Sequence, residues 1–156
     1  MAVYLMQHGK PVPKAEDPEK PLSSQGIRDV ESVAEFFERQ GLGIQKIYHS
    51  GKRRAKETAE IMGRLCPHPA EERQGLSPLD DVRDMAAEIK NENGDLLIAG
   101  HLPHLARLTS LLVVGDETVP LVRFQQGGMV CLEKHETEGW VVSWMLVPSI
   151  IGSKLQ

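Results

Sequence analysis

The sequence predicts an α/β fold in three layers: a mostly parallel sheet with helices on both faces, closed by a C-terminal β-hairpin. Two observations carry this. Short apolar runs at residues 2–6, 44–48 and 95–99 alternate with longer segments of helical periodicity, the pattern of parallel strands joined by crossover helices. Two β-rich segments, 129–133 and 140–146, then flank Glu138-Gly139, a turn signal.

Each element follows in order. Residues 2–6 read as a buried strand that ends at Gln7-His8-Gly9. Residues 10–22 hold Pro11, Pro13, Pro18 and Pro21 among charged residues and form a loop. Ser23 or Ser24 caps a helix whose apolar face is Ile27, Val30, Val33, Ala34 and Phe37, and Gly41 and Gly43 end it. A strand over 44–48 leads to Ser50 and a helix over about 52–65, with Ala55, Thr58, Ala59 and Met62 on one face. Pro67 and Pro69 stop it. Residues 71–74 make a short edge strand, and 80–90 a helix with Asp80 or Asp81 near its start. A buried strand over 95–99 runs into Gly100-His101, and residues 105–114 form an apolar helix after Pro103. Trp140 and Trp144, both even positions of the last strand, are expected on one face as packing residues.

Composition bounds the function. The chain has 156 residues, 40% hydrophobic and 26% charged, which fits one domain spanning 1–156. A net charge of −4 gives no broad basic field for nucleic acid. No apolar run approaches the roughly 18 residues that span a bilayer, so no membrane partner is expected. Cys66 and Cys131 are too few for a disulfide framework and read as small buried hydrophobes of a cytoplasmic protein. His101 and His104 are spaced as a metal pair, but no third ligand is evident and no metal is expected. His49, His68 and His135 read as surface or loop residues.

In a parallel sheet, ligands collect outside the carboxyl ends of the strands. Three polar clusters fall there: Gln7-His8-Gly9, Ser50 to Arg54, and Gly100-His101. Two imidazoles and an arginine suit phosphoryl transfer. One neutral ring attacks phosphorus, the other donates to the charged oxygens, and a guanidinium grips the group as a planar fork.

These segments carry a resemblance. Met6-Gln7-His8-Gly9 resembles the Arg-His-Gly signature of the histidine phosphatase superfamily, with its phosphoglycerate mutase-like fold. Residues 50–59, SGKRRAKETA, are similar to that family's Ser-x-x-x-Arg-Ala-x-x-Thr-Ala helix start, and Ala99-Gly100-His101 matches its second histidine. The short length, the proline-rich loop and His101-Leu102-Pro103 are most similar to the SixA-like phosphohistidine phosphatases.

The resemblance implies a cofactor-independent phosphatase in which His8 is the nucleophile, Arg54 clamps the phosphoryl oxygens and His101 stabilises their charge. Arg54 matches rather than Arg53 because it directly precedes Ala55. Gly9 is expected to let the backbone approach the phosphate, and free N–H groups after Ser50 to add donors. Gln7 stands where the family has a second arginine, a loss of charge that Lys10 is a candidate to make good. Asp80 and Asp81 are the candidates for a general acid, although capping explains them equally. The implied substrate is a phosphohistidine on a protein, which needs less acid assistance than an ester. The alternatives are a small phosphomonoester, or a phosphoprotein-binding module with chemistry weakened at Gln7.

Overall fold

In the computed structural model, residues 1–151 are described. Six strands form one sheet in the order β3-β2-β4-β1-β5-β6. The strands are β1 (Ala2–Gln7), β2 (Lys46–His49), β3 (Glu71–Glu72), β4 (Leu96–Gly100), β5 (Met129–His135) and β6 (Gly139–Leu146). Pairs β3/β2, β2/β4 and β4/β1 are parallel; β1/β5 and the hairpin β5/β6 are antiparallel. All six residues of β1 are buried, as expected of a central strand covered on both faces.

Alternation along β1 sends Val3 and Leu5 to one face and Tyr4 and Met6 to the other. Helices α1 (Ser24–Arg39) and α2 (Arg53–Met62) cover the Tyr4 face, where Val30, Val33, Ala34 and Phe37 of α1 are buried. Phe37 meets Tyr4 edge to face at 5.2 Å. Helices α3 (Arg83–Lys90) and α4 (His104–Val114) cover the Leu5 face through Met85, Ile89, Leu105 and Leu108. Each fully buried aliphatic or aromatic side chain contributes about 1.5–3 kcal/mol. A short α5 (Pro148–Ile151), absent from the sequence reading, places Ile151 in the α1-side core. Among the described residues, no helix is long and apolar enough to cross a membrane.

Several expectations change. Trp140 packs on the α3/α4 side and Trp144 on the α1/α2 side. The cause is a β-bulge: Leu132 pairs with Val142 and Cys131 with Trp144, so Ser143 is extra and the alternation reverses there. The third helix starts at Arg83, so Asp80 and Asp81 lie ahead of it. Ile27, assigned to the core face of α1, is 39% exposed.

Candidate active site

The parallel register places the site. Gln7 pairs with Gly100 and His49 with Ala99, so β1, β4 and β2 end level with one another. The residues that follow, His8, His101 and Ser50, therefore share one edge of the sheet. His8 and His101 are both buried, with ring centroids 5.2 Å apart.

His8 is held from several sides. Its backbone N–H donates to the Gly100 carbonyl at 3.0 Å, and Gly127 donates to the Gln7 and His8 carbonyls. The ring Nδ1 lies 2.7 Å from the Gly9 carbonyl oxygen. A carbonyl only accepts, so the proton of the neutral ring sits on Nδ1 and Nε2 keeps its lone pair. Gly9 N–H donates to Thr58 Oγ1, which donates to the Arg54 carbonyl, fastening this turn to α2.

Burial keeps both rings neutral. It pushes His8 down to about 4 against the partly opposing Gly9 hydrogen bond, with the charges of Arg54 and Lys20 adding to the fall. Burial also pushes His101 down to about 3, helped by His8, Arg54 and Lys52. Ser50 Oγ lies 2.6 Å from His101 Nε2. His101 Nδ1, Gln7 Oε1 and Arg54 Nε are buried without a hydrogen-bond partner among the described residues. Three unpaired polar groups on one edge are costly unless a ligand meets them.

The structure thus brings His8, His101, Arg54 and Ser50 together as the sequence suggested, and Gln7 beside them. The other expectations are revised. Gly9 makes its close approach to α1: an added Cβ would lie 3.0 Å from the Gly26 carbonyl oxygen and 3.0 Å from Val30 Cγ2. Two of the N–H groups after Ser50 are already used, Gly51 on His49 Nδ1 and Lys52 on Ser50 Oγ. His49 is therefore buried and structural, not a surface residue.

Lys10 has an exposed side chain, and its carbonyl accepts from both the N–H and the hydroxyl of Ser23. The lysine whose charge acts on His8 is Lys20, which sequence reasoning missed. Lys20 is partly buried and adopts φ +49°, a left-handed conformation uncommon outside glycine and asparagine. Nothing in a proline-rich loop marks such a residue beforehand. The loop is tied down by a Leu22 N–H to Glu57 hydrogen bond of 2.7 Å, and Glu57 also holds Arg53 at 3.0 Å.

Of the two acid candidates, Asp81 serves the start of α3, its Oδ1 accepting the Arg83 N–H at 2.9 Å, while Asp80 does not cap the helix. Asp81 pairs with Arg83, which lowers its carboxyl to about 2, and Asp80 accepts from the Ser77 N–H. Both line an open groove of about 440 Å3 beside Ser50, with Glu72, Gly75, Ser77 and Asp84 among its walls. His104 is fully buried on α4, and the described residues include no group of three or more His, Cys, Asp or Glu placed to hold a metal.

Comparison with known proteins agrees with this geometry. The family model of the histidine phosphatase superfamily (branch 1) matches residues 3–97. An uncharacterised protein of Picosynechococcus is 30% identical over 125 residues, 74% of this chain and 75% of its own. The phosphohistidine phosphatase SixA of Escherichia coli is 28% identical over 155 residues, covering 95% of this chain and 94% of its own. A structure of the protein histidine phosphatase SixA complexed with tungstate superposes with a TM-score of 0.83 at 25% identity, covering 96% of this chain and 99% of that one. By the match of more than half its length to the family model, and by the fold that carries the motifs, the chain belongs to the histidine phosphatase superfamily.

Proposed function

We propose that this phosphatase removes the phosphoryl group from phosphohistidine on a protein, through a phospho-His8 intermediate and without a cofactor. The observation that carries the reading is the orientation of His8: Nδ1 is fixed on the Gly9 carbonyl, so Nε2 is the free, neutral nucleophile. In the first step Nε2 bonds to phosphorus while the bond to the leaving ring nitrogen breaks. Arg54 neutralises the phosphoryl oxygens, and neutral His101, braced by Ser50, donates an N–H to the developing charge. Water then attacks phosphorus, the bond to Nε2 breaks and phosphate leaves.

The first step exchanges one phosphorus–imidazole bond for another, so it needs little acid assistance. That suits a site in which Asp81 is committed to Arg83 and Asp80 to the Ser77 N–H. The open groove beside Ser50 leaves room for a side chain presented by a protein. The similarity to proteins named phosphohistidine phosphatase points the same way.

The test offers the purified protein a phosphohistidine protein and a panel of phosphate esters without added metal. Rapid quench should trap acid-labile, base-stable label on wild-type protein and none on His8→Ala. Turnover by His8→Ala at the wild-type rate refutes the nucleophile, and a clear preference for one sugar phosphate refutes the protein substrate.

A further inference from the structure

The amide of Gln7, which directly precedes His8, is a group whose chemistry the mechanism above leaves unused. Its backbone is fully engaged: the N–H donates to the Gly128 carbonyl at 3.1 Å, and the carbonyl accepts from Gly127 at 3.0 Å. Its side chain is only 9% exposed, yet Oε1 is buried with no hydrogen-bond partner among the described residues. A buried amide oxygen in that state calls for a donor from the ligand. Residue 7 pairs with Gly100, so it directly precedes His8 on one strand and faces the residue before His101 on the next.

A guanidinium at this position would offer donors alone and so match a fully ionised phosphoryl group. An amide offers donors and an acceptor. As placed, the acceptor Oε1 has no donor among the described residues, and a ligand that carries a proton supplies one. A dianionic phosphoryl group has none, and its oxygens repel the amide oxygen. A monoanionic group presents P–OH and P–O on one edge, the complement of C=O and N–H.

We propose that Gln7 makes this site selective for phosphoryl groups in the singly protonated, monoanionic form. This rests on the phosphatase reading and narrows its substrate. The proton has a use in the reaction: as Nε2 of His8 bonds to phosphorus and the leaving atom departs with its electron pair, the P–OH proton is available to that atom. The products are then a neutral leaving group and phospho-His8, whose dianionic phosphoryl group sits on a ring made cationic by the Nδ1 proton it keeps on the Gly9 carbonyl.

The groups facing the site are His8 at the end of β1, His101 after β4, His104 on α4, Lys20 in the 10–22 loop, and Lys52 and Arg54 at the start of α2. On the β5 side the neighbours of Gln7 are Gly127 and Gly128, which carry no charge. Burial keeps His8, His101 and His104 on the neutral side of their ordinary range.

The experiment is calorimetric binding of inorganic phosphate between about pH 5.5 and 8.5, with sulfate as the control. Sulfate stays dianionic throughout and so reports protonation of the protein itself. Wild-type protein should lose affinity for phosphate above its second ionisation, approaching tenfold per pH unit, and should bind sulfate at least about tenfold more weakly than phosphate at the acid end. Gln7→Arg should bind both dianions more tightly and lose the fall with pH. Gln7→Leu, which adds no charge and is the milder change, should also lose it. Phosphate affinity in wild-type protein that is flat or rises with pH overturns the proposal and leaves the phosphatase reading intact. Binding of neither anion at any pH overturns both.

Discussion

Ser50 Oγ stands 2.6 Å from Nε2 of His101, a bond that ties the end of β2 to the end of β4 across 51 residues of sequence. It fixes the ring that lies beside His8, and no comparable bond forms at His101 Nδ1 among the described residues. A neutral–neutral hydrogen bond of this kind contributes about 0.5–1.5 kcal/mol. Ser50→Ala should therefore reduce kcat/KM about 3- to 10-fold, mainly in kcat, while His101→Ala reduces it far more. Equal losses in the two variants would show that Ser50 does more than orient the ring.

Acid sensitivity follows from the two buried imidazoles. In the folded protein His8 sits at about 4 and His101 at about 3, below the 6.5 of the exposed residue. The unfolded chain thus binds more protons between these values, and stability falls as pH drops from about 6.5 toward 4. Above about 6.5 this stabilisation is fully present. Each ring contributes a slope of up to about 1.4 kcal/mol per pH unit inside the window. Urea denaturation at about pH 7 and about pH 5 measures it, and equal midpoints would exclude buried neutral histidines.

Catalysis should outlast that first loss of stability. The neutral fraction of His8 remains high until pH approaches 4. Single-turnover phosphorylation of His8 should therefore hold its rate constant from pH 7 down to about 5. A half-maximal point near 6.5, the ordinary imidazole value, would show that the ring is not shielded from water.

In the loop from 10 to 22 the charge of Lys20 reaches His8, while the side chain of Lys10 is exposed. Lys20→Ala should lower kcat/KM about tenfold, less than a full oxyanion donor because the side chain is partly exposed. Lys10→Ala should change it less than about twofold. Steady-state kinetics at low salt checks both, and the reverse order would restore Lys10 to the site.

Gly26 carries the packing under that loop. A Cβ there would lie 2.2 Å from the Lys10 carbonyl oxygen, which already accepts from Ser23. Gly26→Ala should cost about 1–3 kcal/mol, outweighing the roughly 1 kcal/mol that alanine gains in a helix. Thermal melting should show a Tm lower by several degrees, accompanied by reduced activity as the Lys20 loop shifts. An unchanged Tm would mean that the loop yields freely.

The sequence by itself determined the layers of the fold and where the main candidate site residues fall along it. Apolar runs with β-rich composition, followed by helical periodicity, specify which segments are strands and helices because burial is imposed locally, residue by residue. The same logic put His8, Ser50 and His101 at strand ends, and in a parallel sheet those ends must lie along one edge. What the sequence left open depends on backbone events without a periodic signal. The bulge at Ser143 moved Trp144 to the opposite face from Trp140. The left-handed backbone at Lys20, whose charge acts on His8, is one such event. The spent N–H groups of Gly51 and Lys52, the ion pair that occupies Asp81 and the unpartnered oxygen of Gln7 are also tertiary facts. Whether a polar group is satisfied depends on neighbours distant in the chain, and only the packed structure brings those neighbours into range.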